Sequence, residues 1–220
     1  MRYSHIFFDL DGTLTNSAPG ITHSVQYALR KFGIEPPPEE ELTVFVGPPL
    51  VQSFSKYFGM DTEGSLLAVD YYREYYRAGG MLENEVYDGI PALLEELNAR
   101  GLVCVLATCK PYEFAEKILV HFGLDRYFAF VSGPEMDGRR GEKHEVIEYA
   151  IERLAIGDAD RILMVGDRRD DVLGSAHHGM ACAGVLWGFG SQEELLDAGA
   201  KYLCRTPQDL LSFLENNTDN

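Results

Sequence analysis

Phe8-Asp9-Leu10-Asp11-Gly12-Thr13-Leu14-Thr15 follows directly on the apolar run Ile6-Phe7-Phe8. A short aromatic and β-branched run closed by a glycine-containing turn predicts a buried strand whose end opens into a loop. Two carboxylates, Asp9 and Asp11, then stand at the strand's carboxyl tip. Residues two apart share a face on extended backbone, but Gly12 lets the chain turn sharply and aim the two acids separately. Nearby acids raise each other's pKa unless a cation neutralises them, and magnesium, a hard cation that takes oxygen ligands, suits that place. An ordinary solvated turn also uses Asp and Gly. The meaning of this stretch therefore depends on what the rest of the chain brings to it.

From about Asn16 to Val86 the pattern is helical. Ile21, Val25, Ala28, Leu29 and Phe32 recur at helix spacing and Gly33 ends the run. Pro36-Pro37-Pro38 breaks the chain, Glu39-Glu40-Glu41 opens another helix with acids in its first turn, and Gly47-Pro48-Pro49 breaks it again. Leu50 to Phe58 and Glu63 to Arg77 supply two further helical patterns. From Tyr87 onward strands and helices alternate. The strands are 102–107, 127–131, 162–165, 182–186 and 201–204, separated by helices at 90–99, 111–122, 143–154, 171–178 and 192–196, with a last helix at 207–214. Apolar strands separated by helices predict a doubly wound parallel α/β sheet. Ligands of such sheets sit beyond the strands' carboxyl ends. Asn216 to Asn220 reads as a frayed tail.

At that rim several chemically useful groups fall just past different strands: Asp9 and Asp11, Thr108, Lys143 at a helix start, and Asp167. Singly, Lys143 is an exposed helix lysine and Thr108 a strand-end threonine; together they describe one site. Asp9 and Asp11 with Thr108, Lys143 and Gly166-Asp167-Arg168-Arg169-Asp170-Asp171 resemble, in order and spacing, the four motifs of the haloacid dehalogenase superfamily of phosphatases. The resemblance covers nearly the whole chain. It implies a Rossmann-like core of residues 1–15 and 87–220 with an all-helical cap, 16–86, inserted after the first strand.

The resemblance implies a magnesium-dependent phosphatase acting on a small phosphorylated metabolite. Asp9 attacks the phosphoryl group to give an aspartyl-phosphate, which needs cations on the phosphate oxygens. Asp11 protonates the leaving alcohol and then activates the hydrolytic water. Lys143 pairs with Asp9 and the phosphoryl group. Thr108 bonds a phosphate oxygen, with Cys109 and Lys110 beside it and free N–H groups where the helix after Pro111 begins. Mg2+ falls to Asp9, the Asp11 carbonyl and Asp167, with Asp171 binding through water or orienting its neighbours. Asp170 is the alternative, although as the start of a helix it also suits an N-cap. Gly47-Pro48-Pro49-Leu50 resembles the specificity loop of phosphoglycolate phosphatase-like members, a plain helix–helix turn being the alternative, and Arg73 either packs within the cap or reaches a substrate carboxylate. Tyr71, Tyr72, Tyr75 and Tyr76 read as packing within the cap. Asn16 and Cys109 depart from residues common in the family; both concern substrate contacts rather than reaction class.

Composition narrows the rest. A net charge of −16 without a basic stripe argues against a nucleic-acid partner. The short basic runs, Arg139-Arg140 with Lys143 and Arg168-Arg169, are either solvated loop charge or a local attractor for phosphate. No signal peptide or run of about 20 apolar residues is evident, so a cytoplasmic protein without a membrane partner is expected, monomeric or weakly dimeric. The four cysteines lack metal-ligand spacing; Cys104 and Cys182 read as core and Cys109 as open to oxidation or alkylation. Within the superfamily a nucleotidase, a pyrophosphatase and a phosphosugar mutase are rivals. Outside enzymes, a phospho-Asp signalling domain or an inactive scaffold are the alternatives.

Overall fold

The structure is a computed structural model and describes residues 2–217. Its contacts divide the chain into two compact units, one made of the residues up to Thr15 with those from Val86 onward, the other Asn16–Glu85.

The first unit is built on β1 (His5–Phe8). The chain crosses between units through two short strands, β2 (Thr15–Asn16) and β3 (Glu85–Val86), which form a sheet of their own. The second unit contains α1 (Ala18–Lys31), a single turn α2 (Glu39–Leu42) running into a 3-10 turn, α3 (Leu50–Phe58) and α4 (Thr62–Ala78). α1 and α4 pack along each other. Tyr72 and Tyr76, both buried, stack at 5.3 Å between centroids, while Tyr75 meets Tyr27 and Tyr71 meets Phe32. The tyrosine cluster is thus core material of this unit, as an i, i+4 aromatic pair on one helix face should be.

The first unit continues with α5 (Ile90–Ala99), β4 (Val103–Ala107), α6 (Tyr112–His121), β5 (Phe128–Ser132), α7 (Lys143–Arg153), β6 (Ile162–Gly166), α8 (Arg169–His177), β7 (Ala181–Val185), α9 (Gln192–Asp197), β8 (Tyr202–Cys204) and α10 (Pro207–Asn216). Six strands pair in the order β5-β4-β1-β6-β7-β8, all parallel. From β1 the chain steps out through β4 and β5, then returns to place β6 on the other side of β1. The order reverses at β1, so the crevice at its carboxyl end is the switch point of a doubly wound sheet.

Register explains the core. Phe7 stands opposite Val105 on one neighbour and Met164 on the other, and Met164 opposite Cys182. All belong to one apolar layer with Val146, Ile147 and Ala150 of α7, Val172 of α8 and Leu195 of α9. Ile6, Phe8, Cys104, Leu106, Leu163 and Val165 alternate with them and are equally buried, so both faces of the sheet are covered. α5 packs on β4 and against α10, bringing in Leu93, Leu94, Leu97, Leu210 and Leu214.

Element ends differ from expectation by a residue or two. α8 begins at Arg169 with Arg168 as its N-cap, so Asp170 is not the cap. The expected frayed tail is helical at Asn216, the last residue of α10; Thr218, Asp219 and Asn220 lie outside the described residues.

Phe7 contributes a fully buried ring at the centre of the sheet. Phe7→Ala is expected to cost about 3–5 kcal/mol, the range for emptying an aromatic core site. Urea denaturation followed by circular dichroism measures it; a loss under about 1 kcal/mol would mean that the layer described is not the core.

Candidate active site

The site begins with how β1 ends. Asp9 N–H still bonds Val165 O, extending the ladder by one residue (3.0 Å). The chain then folds onto itself: Leu10 O accepts from Thr13, Leu14 and Thr15, and Gly12 N bonds Thr15 O at 2.8 Å. Gly12 sits at φ +84°, and a Cβ there would lie 2.2 Å from Asp167 Oδ2, so this turn requires glycine twice over. The turn sends Asp9 and Asp11 to different partners.

Asp9 Oδ1 lies 2.9 Å from Lys143 Nζ, and the same ammonium lies 2.7 Å from Asp171 Oδ1 and donates to Ala107 O at 3.0 Å. Lys143 reaches this place because α7 runs tight against α8 at Gly174, where a Cβ would stand 2.6 Å from Lys143 Cγ. Asp11 pairs instead with Lys110, 2.9 Å between Oδ2 and Nζ. Asp167, at the end of β6, accepts from Thr13 Oγ1 at 3.1 Å and from Phe189 N at 2.8 Å. Asp171 accepts Arg168 N–H at 3.0 Å as the third residue of α8.

Asp9, Asp167 and Asp171 each present an oxygen within 4.8 Å of the others, and all three are buried. Burial, reinforced by the charges of Asp171 and Asp9, pushes Asp167 up to about 8. Burial also raises Asp171, to about 6, against the pull of Lys143. Burial opposes the charge on Lys143, but Asp171 and Asp9 outweigh it and its pKa stands well above the ordinary lysine value. One ammonium among three carboxylates leaves a negative surplus in a desolvated place. Oδ1 of Asp9 and of Asp171, although close to Lys143, accept no hydrogen bond of good geometry, and Oδ1 of Asp11 is likewise unpartnered. A hard divalent cation fits this oxygen-only donor set. Among the described residues no other cluster of at least three His, Cys, Asp or Glu side chains converges in this way. Asp170, half-buried, is outside it.

Thr108, at the end of β4, is buried, and its Oγ1 accepts the Lys110 N–H at 3.2 Å. Tyr112 N–H bonds Pro134 O. Two of the N–H groups expected to be free near the start of α6 are therefore used internally. The basic runs are also internally paired: Arg139 with Asp137, Arg140 with Glu135 and over the Tyr149 ring, and Arg168 with Glu194. Lys143 and Lys110, both buried, already stand beside carboxylates. Gly47 and Arg73 belong to the other unit. Gly47 is at φ +101° between the 3-10 turn and α3, and Arg73 is partly buried in α4 with its pKa lowered by burial and by Arg77.

Sequence reasoning missed the loop after β7. Trp187 Nε1 donates to Thr13 O at 2.9 Å, and Phe189 N is the second donor to Asp167. Glu194 of α9 similarly holds Arg168 Nε and Arg169 N. Trp187-Gly188-Phe189-Gly190, an aromatic-glycine repeat directly after a buried strand, was the available signal.

Cys109 keeps part of its surface exposed, while burial of its thiol pushes the pKa up to about 12, which disfavours the thiolate that the reactivity expected from the sequence would need. Cys104 rises to about 12 and Cys204 to about 11, both through burial, and Cys182 rises too. At about pH 8, near the ordinary thiol value, none of the four cysteines is expected to react promptly with Ellman's reagent until the protein is unfolded. One equivalent released at once from native protein would contradict this.

Comparison with known proteins agrees with the geometry. The family model for haloacid dehalogenase-like hydrolases matches residues 6–185. A 5'-nucleotidase of Pseudomonas aeruginosa is 44% identical over 217 residues, 99% of this chain and 98% of that one. The tyrosine-protein kinase PtkA of Mycobacterium tuberculosis is 39% identical over 84% of this chain, a match that spans 62% of the kinase. The crystal structure of a "predicted phosphatase" from Clostridium acetobutylicum superposes with a TM-score of 0.95 at 46% identity, covering 98% of this chain and all of that one. The chain belongs to the haloacid dehalogenase-like hydrolases, and among them to the phosphatases.

Proposed function

We propose that this phosphatase is magnesium-dependent, works through an aspartyl-phosphate on Asp9, and takes small phosphate monoesters, with nucleoside 5'-monophosphates the leading class. The reading is carried by one observation: Asp9, at the switch point of the sheet, shares a buried cluster with Asp167 and Asp171 and is ion-paired to Lys143. The substrate class rests on the 44% identity to a 5'-nucleotidase over almost the full chain. The phosphoglycolate-like specificity expected from the Gly47 loop becomes the second candidate.

Asp9, Asp167 and the Asp11 carbonyl would hold the cation, with Asp171 next to it. When bound, Mg2+ supplies the charge neutralisation that lets an anionic carboxylate approach an anionic phosphoryl group. Lys143 fixes Asp9 and adds positive charge on the transferring oxygens. An oxygen of Asp9 bonds to phosphorus as the ester P–O bond breaks, and the leaving alcohol takes the Asp11 proton. Asp11, now ionised, removes a proton from the water that attacks phosphorus, releasing phosphate and free Asp9. Lys110 orients Asp11 from 2.9 Å, and Thr108 offers its hydroxyl to a phosphate oxygen. The Asn16–Glu85 unit serves as the cap, with Gly47 and Arg73 as its substrate contacts. Giving Asp11 both proton transfers supports turnover of the phospho-enzyme over a stored phospho-Asp signal.

Asp9→Asn is expected to abolish turnover with an unchanged circular dichroism spectrum, and Asp11→Asn to slow it by about two to four orders of magnitude, the usual worth of a general acid-base. Unaltered activity in Asp9→Asn would rule out the nucleophile. Chelation by EDTA should stop the reaction and added Mg2+ restore it; activity that survives chelation would remove the metal from the account. Across nucleoside monophosphates, 2-phosphoglycolate, pyrophosphate, hexose phosphates and an aryl phosphate, kcat/KM is expected to favour a nucleotide by about 100-fold, or roughly 3 kcal/mol. A flat profile would refute that preference.

A further inference from the structure

Trp187 is the chain's one tryptophan and lies in the loop between β7 and α9, outside every motif from which the phosphatase reading was built. Its indole N–H donates to the main-chain oxygen of Thr13 at 2.9 Å. The Thr13 hydroxyl donates to Oδ1 of Asp167 at 3.1 Å. Two residues past the tryptophan, the Phe189 N–H donates to Oδ2 of the same carboxylate at 2.8 Å. Each oxygen of Asp167 therefore has one protein donor, and both donors belong to segments that the indole ties together.

The approach is too close for side chains. A Cβ on Gly188 would lie 2.5 Å from Asp167 Oδ2, and one on Gly190 1.8 Å from the Asp167 main-chain oxygen. Asp167 is fully buried, so its orientation is set by protein donors. A ligating carboxylate held in this way is ready for a cation without rearrangement.

We propose that Trp187 is a positioning residue for the metal centre: by fixing the Thr13 carbonyl it locks the Thr13 hydroxyl and the Trp187–Gly190 loop onto the two oxygens of Asp167. The inference rests on the reading of Asp167 as a metal ligand. A tryptophan that only fills space would affect stability equally with and without metal. A positioning tryptophan changes what the metal adds.

The test compares Mg2+ binding by calorimetry, and the Mg2+-dependent rise in Tm, for wild type, Trp187→Phe, Thr13→Val, the double variant and Asp167→Asn. Phenylalanine keeps the aromatic bulk and loses the donor. Trp187→Phe is expected to weaken Mg2+ about five-fold, the equivalent of one net hydrogen bond, with KM for the phosphate ester unchanged at saturating metal. The double variant is expected to lose less than the sum of the two single losses, because one of the two arms that the indole fixes runs through the Thr13 hydroxyl. A wild-type Mg2+ affinity in Trp187→Phe, or additive losses in the double variant, would overturn the clamp while leaving the metal centre standing. Wild-type affinity in Asp167→Asn would overturn both. In the unsubstituted protein, Trp187 fluorescence should change along the Mg2+ titration with the calorimetric midpoint and not do so in Asp167→Asn; constant emission in wild type would contradict the proposal without any change to the tryptophan.

Discussion

Charge held out of water governs the first unit. Asp9, Asp167, Asp171 and Lys143 are each at most 5% exposed, and desolvating an ion costs several kcal/mol even after relaxation. A cluster of this kind persists only if the surrounding fold fixes every member. The sheet does that for Asp9 and Asp167, which leave adjacent strands in register, and the close packing of α7 on α8 at Gly174 does it for Lys143 and Asp171. The glycines at 12, 166, 174, 188 and 190 are the geometric cost of bringing these segments so close. A Cβ on Gly166, for instance, would stand 2.2 Å from Asp171 Cγ.

The same constraint links fold to chemistry. A nucleophilic carboxylate must be ionised and aimed, and it must not be masked by water. Lys143 aims Asp9 through its ion pair and its own bond to Ala107 O, while burial keeps water from the carboxylate. The negative surplus that remains is what invites a divalent cation. The Asp11 side chain stands apart from that surplus, paired with Lys110.

The sheet was legible because its strands are apolar on both faces and punctuated by helices: Leu102 to Ala107 and Ile162 to Val165 could be read as buried strands without knowing their partners. The convergence of Asp9 and Asp167 was legible for a related reason, since each follows such a strand, and Lys143 was legible as the start of the helix after β5. What could not be read was lateral contact. Nothing in the order of residues says that Trp187 bonds Thr13 across 174 positions, or that Arg139 and Arg140 are neutralised by their own loop. The reactivity of Cys109 turns on the depth of its thiol, which sequence position beside Thr108 does not report.

The central claim is that Asp9 carries the phosphoryl group. Mixing Asp11→Asn protein with a labelled phosphate ester and Mg2+, quenching in acid, and mapping the digested protein by mass spectrometry tests it directly. The account predicts a phosphoryl group on the peptide containing Asp9, lost on raising the pH as an acyl phosphate is, and absent when Asp9 is asparagine. Label on another residue, or substrate turnover without any trapped phosphoenzyme, would contradict it.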